Sequence, residues 1–277
     1  MERDSGSHAG RIEMERPLRI SSIGETPVAE IRYLNAARGG GTLVERLPVC
    51  VAHTGRLGDE LDAIVVCSDL QGIVRGENDA AELLGAYVAY ALEELAFDRK
   101  LPPSARTGAI LAGDLYSVPE ANKRGGYGDV ADVWAAFASR FAWVAGVAGN
   151  HDDVSSVPEI GDNVYLLDGE VTVVDAIRIG GVAGIIGTKQ KPGRRPEDVQ
   201  LAYLERAIAS HPDIIVLHEG PSGADHQPGH PAIRAVIEDH SVPFTICGHD
   251  HWQQPLAEHP RGQILNVDAR VVVLVGT

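Results

Sequence analysis

From residue 61 onward the apolar residues come in short continuous runs that alternate with stretches of helical periodicity. LDAIVVCS is too short and too evenly apolar for an amphipathic helix and reads as a strand buried on both faces. DAAELLGAYVAYALEELAF, residues 79 to 97, reads as a helix, and Asp79 and Glu82 have the three-residue offset of a capping box. The alternation continues with GAILAGD as a strand, VADVWAAFASRF as a helix, WVAGVAGNHD as a strand with its exit loop, and VYLLDGEVTVVDAIRIGGVAGII as short strands including a hairpin. PEDVQLAYLERAIAS is a helix opened by Pro196, DIIVLHEGP a strand, HPAIRAVIEDH a short helix and PFTICGHDH a strand, while QILNV and ARVVVLV form a closing strand pair. Before residue 61 the pieces LRISSI, VAEIRYL and LPVCVAHT, broken by an ARGGG turn, predict β-rich packing at an edge, with no assignable role. Residues 1 to 15 offer little to bury and read as a tail, which leaves a single α/β domain over residues 16–277 with no repeat or linker inside it.

Five of the predicted strands end alike, in an apolar run followed by a residue that a core would not accept unpaired. The exits are CSDLQG at Asp69, LAGD at Asp114, AGNHD at Asn150 and His151, LHEG at His218, and CGHDH at His249 and His251. Carboxyl ends of strands are where layered α/β folds gather side chains onto a ligand. Any one of these residues alone would more often cap a turn or sit hydrogen-bonded in a core. Together, each left without partners would cost roughly 1–3 kcal/mol in desolvation, and a shared metal centre satisfies them all. Glycines precede Asp114, Asn150 and His249, where a missing Cβ lets the backbone approach an ion. Carboxylate, imidazole and amide donors without thiolate suit manganese, iron or zinc in a two-metal site, with magnesium less suited to several histidines.

Charge narrows the partners. Lys and Arg number 24 against 39 Asp and Glu, a net −15, so the surface repels phosphate backbones and anionic membranes, and extended nucleic-acid binding is not expected. Two basic loops stand out against this: Lys189, Lys191, Arg194 and Arg195 in TKQKPGRR, and Lys123 with Arg124 after Asp114. Either set could grip substrate phosphate or be solvated loop charge. His226 and His230, in DHQPGH, read as solvated loop residues. Three scattered cysteines, Cys50, Cys67 and Cys247, with no CxxC spacing, predict reduced thiols and a cytoplasmic protein, Cys67 and Cys247 as small buried hydrophobes. No apolar stretch reaches the ~18 residues of a membrane span.

The ordered set SDLQG, GDLYS, GNHDD, LHEGP and GHDH resembles the calcineurin-like metallophosphoesterase family, whose pattern runs D-x-H, GD, GNH with an acid, a lone His, then GHxH. The resemblance spans residues 61 to about 275. It implies a four-layer α-β-β-α sandwich, here with an extra N-terminal β-rich segment, and hydrolysis of phosphate esters by a two-metal centre with a metal-bridging hydroxide. It further implies that Asp69 and His251 hold the first metal, that Asp114 bridges both, and that Asn150, His218 and His249 hold the second. His151 would not bind metal but would protonate the leaving oxygen. Manganese comes first as the metal, with iron, zinc or magnesium as alternatives.

Gln71 departs from the pattern, standing where the family has a histidine ligand. It could coordinate through its amide oxygen and shift the first site to harder ions, hold a water in the metal shell, or mark a degenerate site. The expected function is a phosphodiesterase or phosphomonoesterase acting on a small or nucleotide-like substrate. A D-x-Q first motif is also reminiscent of the manganese-dependent ADP-ribose/CDP-alcohol diphosphatases, which makes nucleotide diphosphate hydrolysis the alternative. A non-catalytic metal-binding or interaction module is the rival from another class.

Overall fold

Both faces of the Ala63–Ser68 strand are buried, which is why its sequence is apolar without alternation. Ala63, Val65 and Cys67 meet one layer of core, and Ile64 and Val66 meet another. The computed structural model describes residues 18–276 apart from 56, 59, 77, 78 and 225, so the predicted tail lies outside the described residues.

Two sheets face each other. The first runs, in spatial order, Val164–Leu166, Trp143–Gly146, Thr107–Leu111, Ala63–Ser68, Arg270–Gly276, Thr42–Thr54, Ala29–Ala36, Ile73–Arg75 and Ala81–Leu83, with Ile20–Ile23 also paired to Thr42–Thr54. The second runs Glu170–Val174, Ile177–Val182, Ile214–Glu219, Phe244–Gly248, Gly262–Asn266 and Leu256–His259. Helices Leu84–Phe97 and Ala131–Ala138 cover the outer face of the first sheet through Val88, Leu92, Trp134 and Phe137. Ile64, Val66 and Ile110 meet Ile179, Val216 and Ile246 between the sheets. Helices Glu197–Ile208 and Pro231–Asp239 cover the second sheet through Leu204, Ile208, Ile233 and Ile237. This is the four-layer α-β-β-α sandwich expected, with each fully buried large side chain contributing about 1.5–3 kcal/mol.

Three details differ from the sequence reading. Asp79 and Glu82 do not form a capping box: the helix begins at Leu84, and Ala81–Leu83 is a strand antiparallel to Ile73–Arg75. Asp79 sits in the turn between those strands at φ 57°, and the Gly72 carbonyl accepts the Leu84 N–H at 2.9 Å, one of the donors a cap would have satisfied. QILNV and ARVVVLV do not pair. Gly262–Asn266 belongs to the second sheet and Arg270–Gly276 to the middle of the first. The chain crosses between them, with Val267 N–H donating to the Cys247 carbonyl at 2.8 Å and Ala269 N–H to the Ser68 carbonyl at 3.2 Å. The N-terminal strands are indeed β-rich, but Thr42–Thr54 is interior, parallel to Arg270–Gly276, with Leu47 and Val49 fully buried.

Candidate metal centre

Ala63–Ser68, Thr107–Leu111 and Trp143–Gly146 are parallel in the first sheet, as are Ile214–Glu219 and Phe244–Gly248 in the second. Their carboxyl ends meet along one edge, where the loops of the two sheets interlock. His249 N–H donates to Asp69 Oδ2 at 2.9 Å, and His218 Nδ1 lies 2.9 Å from the Ala112 carbonyl. Asp69, Asp114 and His249 all turn back at positive φ, 54°, 53° and 67°. Such backbone costs of order 1–3 kcal/mol per residue and persists where surrounding bonds enforce it, as Asp69 N–H to the Gly113 carbonyl does here. Two glycines are required by close approach: a Cβ on Gly149 would lie 2.0 Å from Asp114 Oδ1, and one on Gly248 2.4 Å from Asp69 Oδ2.

Asp114, 3% exposed, is the hub. Its Oδ1 accepts the His151 main-chain N–H at 3.0 Å and lies 3.3 Å from His218 Nε2. Its Oδ2 accepts from Gln71 Nε2 at 3.3 Å and stands 3.9 Å from His151 Nε2. Asp114, His218 and His249 each present a ligand atom, all within 4.8 Å of one another. Asn150 Oδ1 is buried without a hydrogen-bond partner, a state that costs about 1–3 kcal/mol unless something fills the gap, and His218 Nε2 has only its 3.3 Å contact with Asp114 Oδ1. A cation held by Asp114, His218 and His249 would add the charge and coordination that these converging atoms lack, so these three donors fit a metal.

The charge states point the same way. Burial and the neighbouring Asp268 and Asp114 carboxylates hold the Asp69 carboxyl well above its usual range, against the His218 charge. Asp114 is also penalised by burial, yet His218 and His151 hold it below the usual carboxylate value. Burial alone would lower His218, but Asp114 and Asp69 carry it up to about 10. Burial and the His218 charge lower His249. His218 thus keeps a proton at neutral pH where a metal would bring positive charge. A metal bound at Nε2 must displace that proton, so loading at pH 7 is expected to release roughly one proton from this residue, and affinity should rise with pH toward 10. Calorimetric titration in buffers of different ionisation enthalpy reads the release; loading without it would mean either that His218 is neutral before the metal arrives or that it is not a ligand.

The sequence model of the calcineurin-like phosphoesterases matches residues 63–253, more than half of the chain. The chain belongs to that family. Among solved structures, TT1561 of Thermus thermophilus is similar in fold, with a TM-score of 0.53 at 18% identity over 76% of this chain and 90% of that one. A second solved structure aligns with a TM-score of 0.52 at 9% identity, over 74% of this chain and 90% of its own. No curated protein matches the sequence.

Around the phosphoesterase hub the remaining sequence-selected residues fall at different depths. Asp69, Gln71, Asp114, His151, His249 and His251 line one cavity of about 450 Å³, a size suited to a small or nucleotide-sized ligand. His151 Nδ1 makes a short contact to the Gly126 carbonyl, so that nitrogen carries a proton and Nε2 is the one left to exchange. His251 stands at the rim, its side chain 60% exposed, with Nδ1 2.7 Å from Asp268 Oδ2. Sequence reasoning missed Asp268, although it ends the QILNV run as Asp69 ends AIVVCS. A carboxylate on one ring nitrogen fixes the tautomer that presents the other. Asp268→Ala is expected to weaken metal binding about 10–100-fold, read by competition with a chelating dye, and wild-type affinity would rule out an orienting role.

Asp152, also missed, ties the loops together: its carboxylate accepts from Leu115 N–H at 2.7 Å, Tyr116 N–H at 3.1 Å and Gly149 N–H at 2.8 Å. Of the basic loops, Lys123 and Arg124 line the cavity. TKQKPGRR supplies none of its lining, because Arg195 pairs with Asp168 and lies over the Tyr203 ring at 4.3 Å, while Lys189 and Lys191 are exposed. His226 and His230 are not part of the lining either, and His230 Nε2 lies 3.4 Å from Glu197. Cys67 and Cys247 are fully buried, and burial pushes the Cys247 thiol up to about 12. Among the described residues, no helix is long and apolar enough to cross a membrane.

Proposed function

We propose that this phosphoesterase is a phosphodiesterase or phosphomonoesterase acting on small or nucleotide-sized substrates, with manganese as the first metal to test and iron, zinc and magnesium as alternatives. The observation that carries the proposal is the buried cluster in which Asp114, His218 and His249 each present a ligand atom within 4.8 Å of the others, His218 Nε2 standing 3.3 Å from Asp114 Oδ1. Asp69, Gln71 and His251 would hold one metal, Asn150, His218 and His249 the other, and Asp114 both. When bound, two divalent ions polarise phosphoryl oxygens and lower the pKa of water. His151, its Nδ1 committed to the Gly126 carbonyl, donates from Nε2 to the departing oxygen. Lys123 and Arg124, lining the same cavity, add positive charge against substrate phosphate.

The test is to strip the protein of metal, reload it with manganese, magnesium or zinc, and assay a generic diester, a monoester and ADP-ribose. Turnover of the esters supports the reading. Turnover of ADP-ribose alone would favour the diphosphatase alternative, and bound metal without any turnover would favour a non-catalytic module. Gln71 lies within hydrogen-bond reach of Asp114 Oδ2, so Gln71→His would put the stronger imidazole donor at the same place. Tighter retention of the first metal is expected, read by elemental analysis after dialysis; unchanged occupancy would mean that Gln71 does not coordinate.

A further inference from the structure

The cavity has one wall that no strand exit supplies. It comes from the N-terminal strands, where Tyr33, Asn35 and Glu45 line the cavity beside Gln71 and Asp114. Tyr33 and Asn35 are two residues apart on Ala29–Ala36 and so share a face, and Glu45 pairs directly across from Tyr33 in the antiparallel register with Thr42–Thr54. Glu45 Oε2 accepts from Tyr33 O–H at 2.9 Å and from Asn35 Nδ2 at 2.7 Å. Asn35 is fixed in turn, its Oδ1 accepting the Ala36 N–H at 2.7 Å. The Tyr33 ring packs where a side chain on Gly72 would stand, since a Cβ there would lie 2.2 Å from Tyr33 Cδ2. The first motif therefore leaves space for this wall immediately after Gln71. Burial and the Glu45 carboxylate push the Tyr33 phenol up, so it stays a donor across the working pH range.

Both donors converge on Oε2, and Oε1 has no hydrogen-bond donor among the described residues. An acceptor fixed by two donors before a ligand arrives loses little freedom on binding. The opposite charge is also close, because the loop carrying Lys123 and Arg124 docks on the Ala36–Thr42 end of the same strand pair. There Arg124 Nε donates to the Ala36 carbonyl at 3.0 Å, and Thr42 Oγ1 to the Ala121 carbonyl at 3.1 Å. A cationic substrate group would meet Lys123 and Arg124 in this cavity, and the Glu45 charge is already partly offset by its two donors. A neutral hydroxyl meets neither obstacle.

We propose that Glu45, held by Tyr33 and Asn35, is a specificity-determining residue that accepts a hydrogen bond from a sugar or polyol hydroxyl of the phosphoester substrate. The proposal rests on the phosphoester-hydrolase reading and deepens it by naming the substrate class. The test compares metal-loaded wild type, Glu45→Gln and Glu45→Ala on a ribonucleoside 5′-(p-nitrophenyl phosphate) and its 2′,3′-dideoxy analogue. Wild type is expected to favour the ribose substrate by about 10-fold or more in kcat/KM, through KM, since a site built around a hydroxyl rejects ligands lacking it. Glu45→Ala is expected to erase that ratio, and Glu45→Gln, which keeps an acceptor oxygen, to retain part of it. A wild type without preference, or a Glu45→Ala protein that keeps the wild-type ratio while losing both activities alike, would overturn the proposal. Titration of the metal-loaded proteins with the ribonucleoside and dideoxynucleoside monophosphates reads the same ratio as binding. If wild type hydrolyses nothing yet binds the ribose form preferentially and Glu45→Ala does not, hydrolysis has failed and the hydroxyl site stands.

Discussion

Replacing Asp114 by alanine is expected to weaken metal binding by more than about 100-fold and to remove turnover with it. Loss of an outer-shell partner already costs 10–100-fold in affinity, and Asp114 is the residue around which the centre is organised. Its two oxygens lie within 3.9 Å of groups from three different segments of the chain: Gln71, the His151 main chain and ring, and His218 near the end of its strand. Alanine leaves His218 buried with its main charge partner gone. Asp114→Asn keeps the shape and one acceptor oxygen but removes the charge, so it should retain the fold while still losing metal. Elemental analysis, turnover and circular dichroism on both variants distinguish loss of the centre from loss of the fold. Full activity in either variant would show that the centre lies elsewhere.

His151→Ala should separate proton donation from metal binding. The His151 bond to Asp114 is made by the main-chain N–H, which alanine also possesses, so Asp114 keeps its orientation and metal content should match wild type. What is lost is the ring, which borders the cavity with Nδ1 committed to the Gly126 carbonyl and Nε2 3.9 Å from Asp114 Oδ2. General-acid catalysis contributes typically 10²–10⁴-fold, so kcat on an alkyl phosphoester should fall by about that range. A p-nitrophenyl ester, whose leaving group departs without a proton, should be much less affected. Equal losses on both esters, or loss of metal, would contradict the donor assignment.

Much of the sandwich was legible because continuous apolar runs such as AIVVCS and VVVLV have only one comfortable place, between two covered faces. The candidate site was legible for a related reason, since Asp69, Asp114 and His249 interrupt those runs where burial penalises an unpaired polar group. Asp268 obeys the same rule and was recoverable. The capping box failed because Asp79 and Glu82 carry a local signal, and pairing of Ala81–Leu83 with Ile73–Arg75 overrides it. QILNV and ARVVVLV were joined because neighbouring strands usually pair. One bond within each sheet, Val267 N–H to Cys247 in the second and Ala269 N–H to Ser68 in the first, directs them apart. The wall of Tyr33, Asn35 and Glu45 left no trace in the pattern, since it depends on the hairpin register and on the ring space beside Gly72.

If residues at five strand ends converge on a pair of metal ions, anomalous diffraction from crystals of manganese-loaded protein should display that pair. Two peaks are expected about 3.5–4 Å apart with Asp114 between them, one of them touching Asn150, His218 and His249. Peaks away from Asp114, or none in protein that turns over phosphoesters, would contradict a centre built on these strand ends.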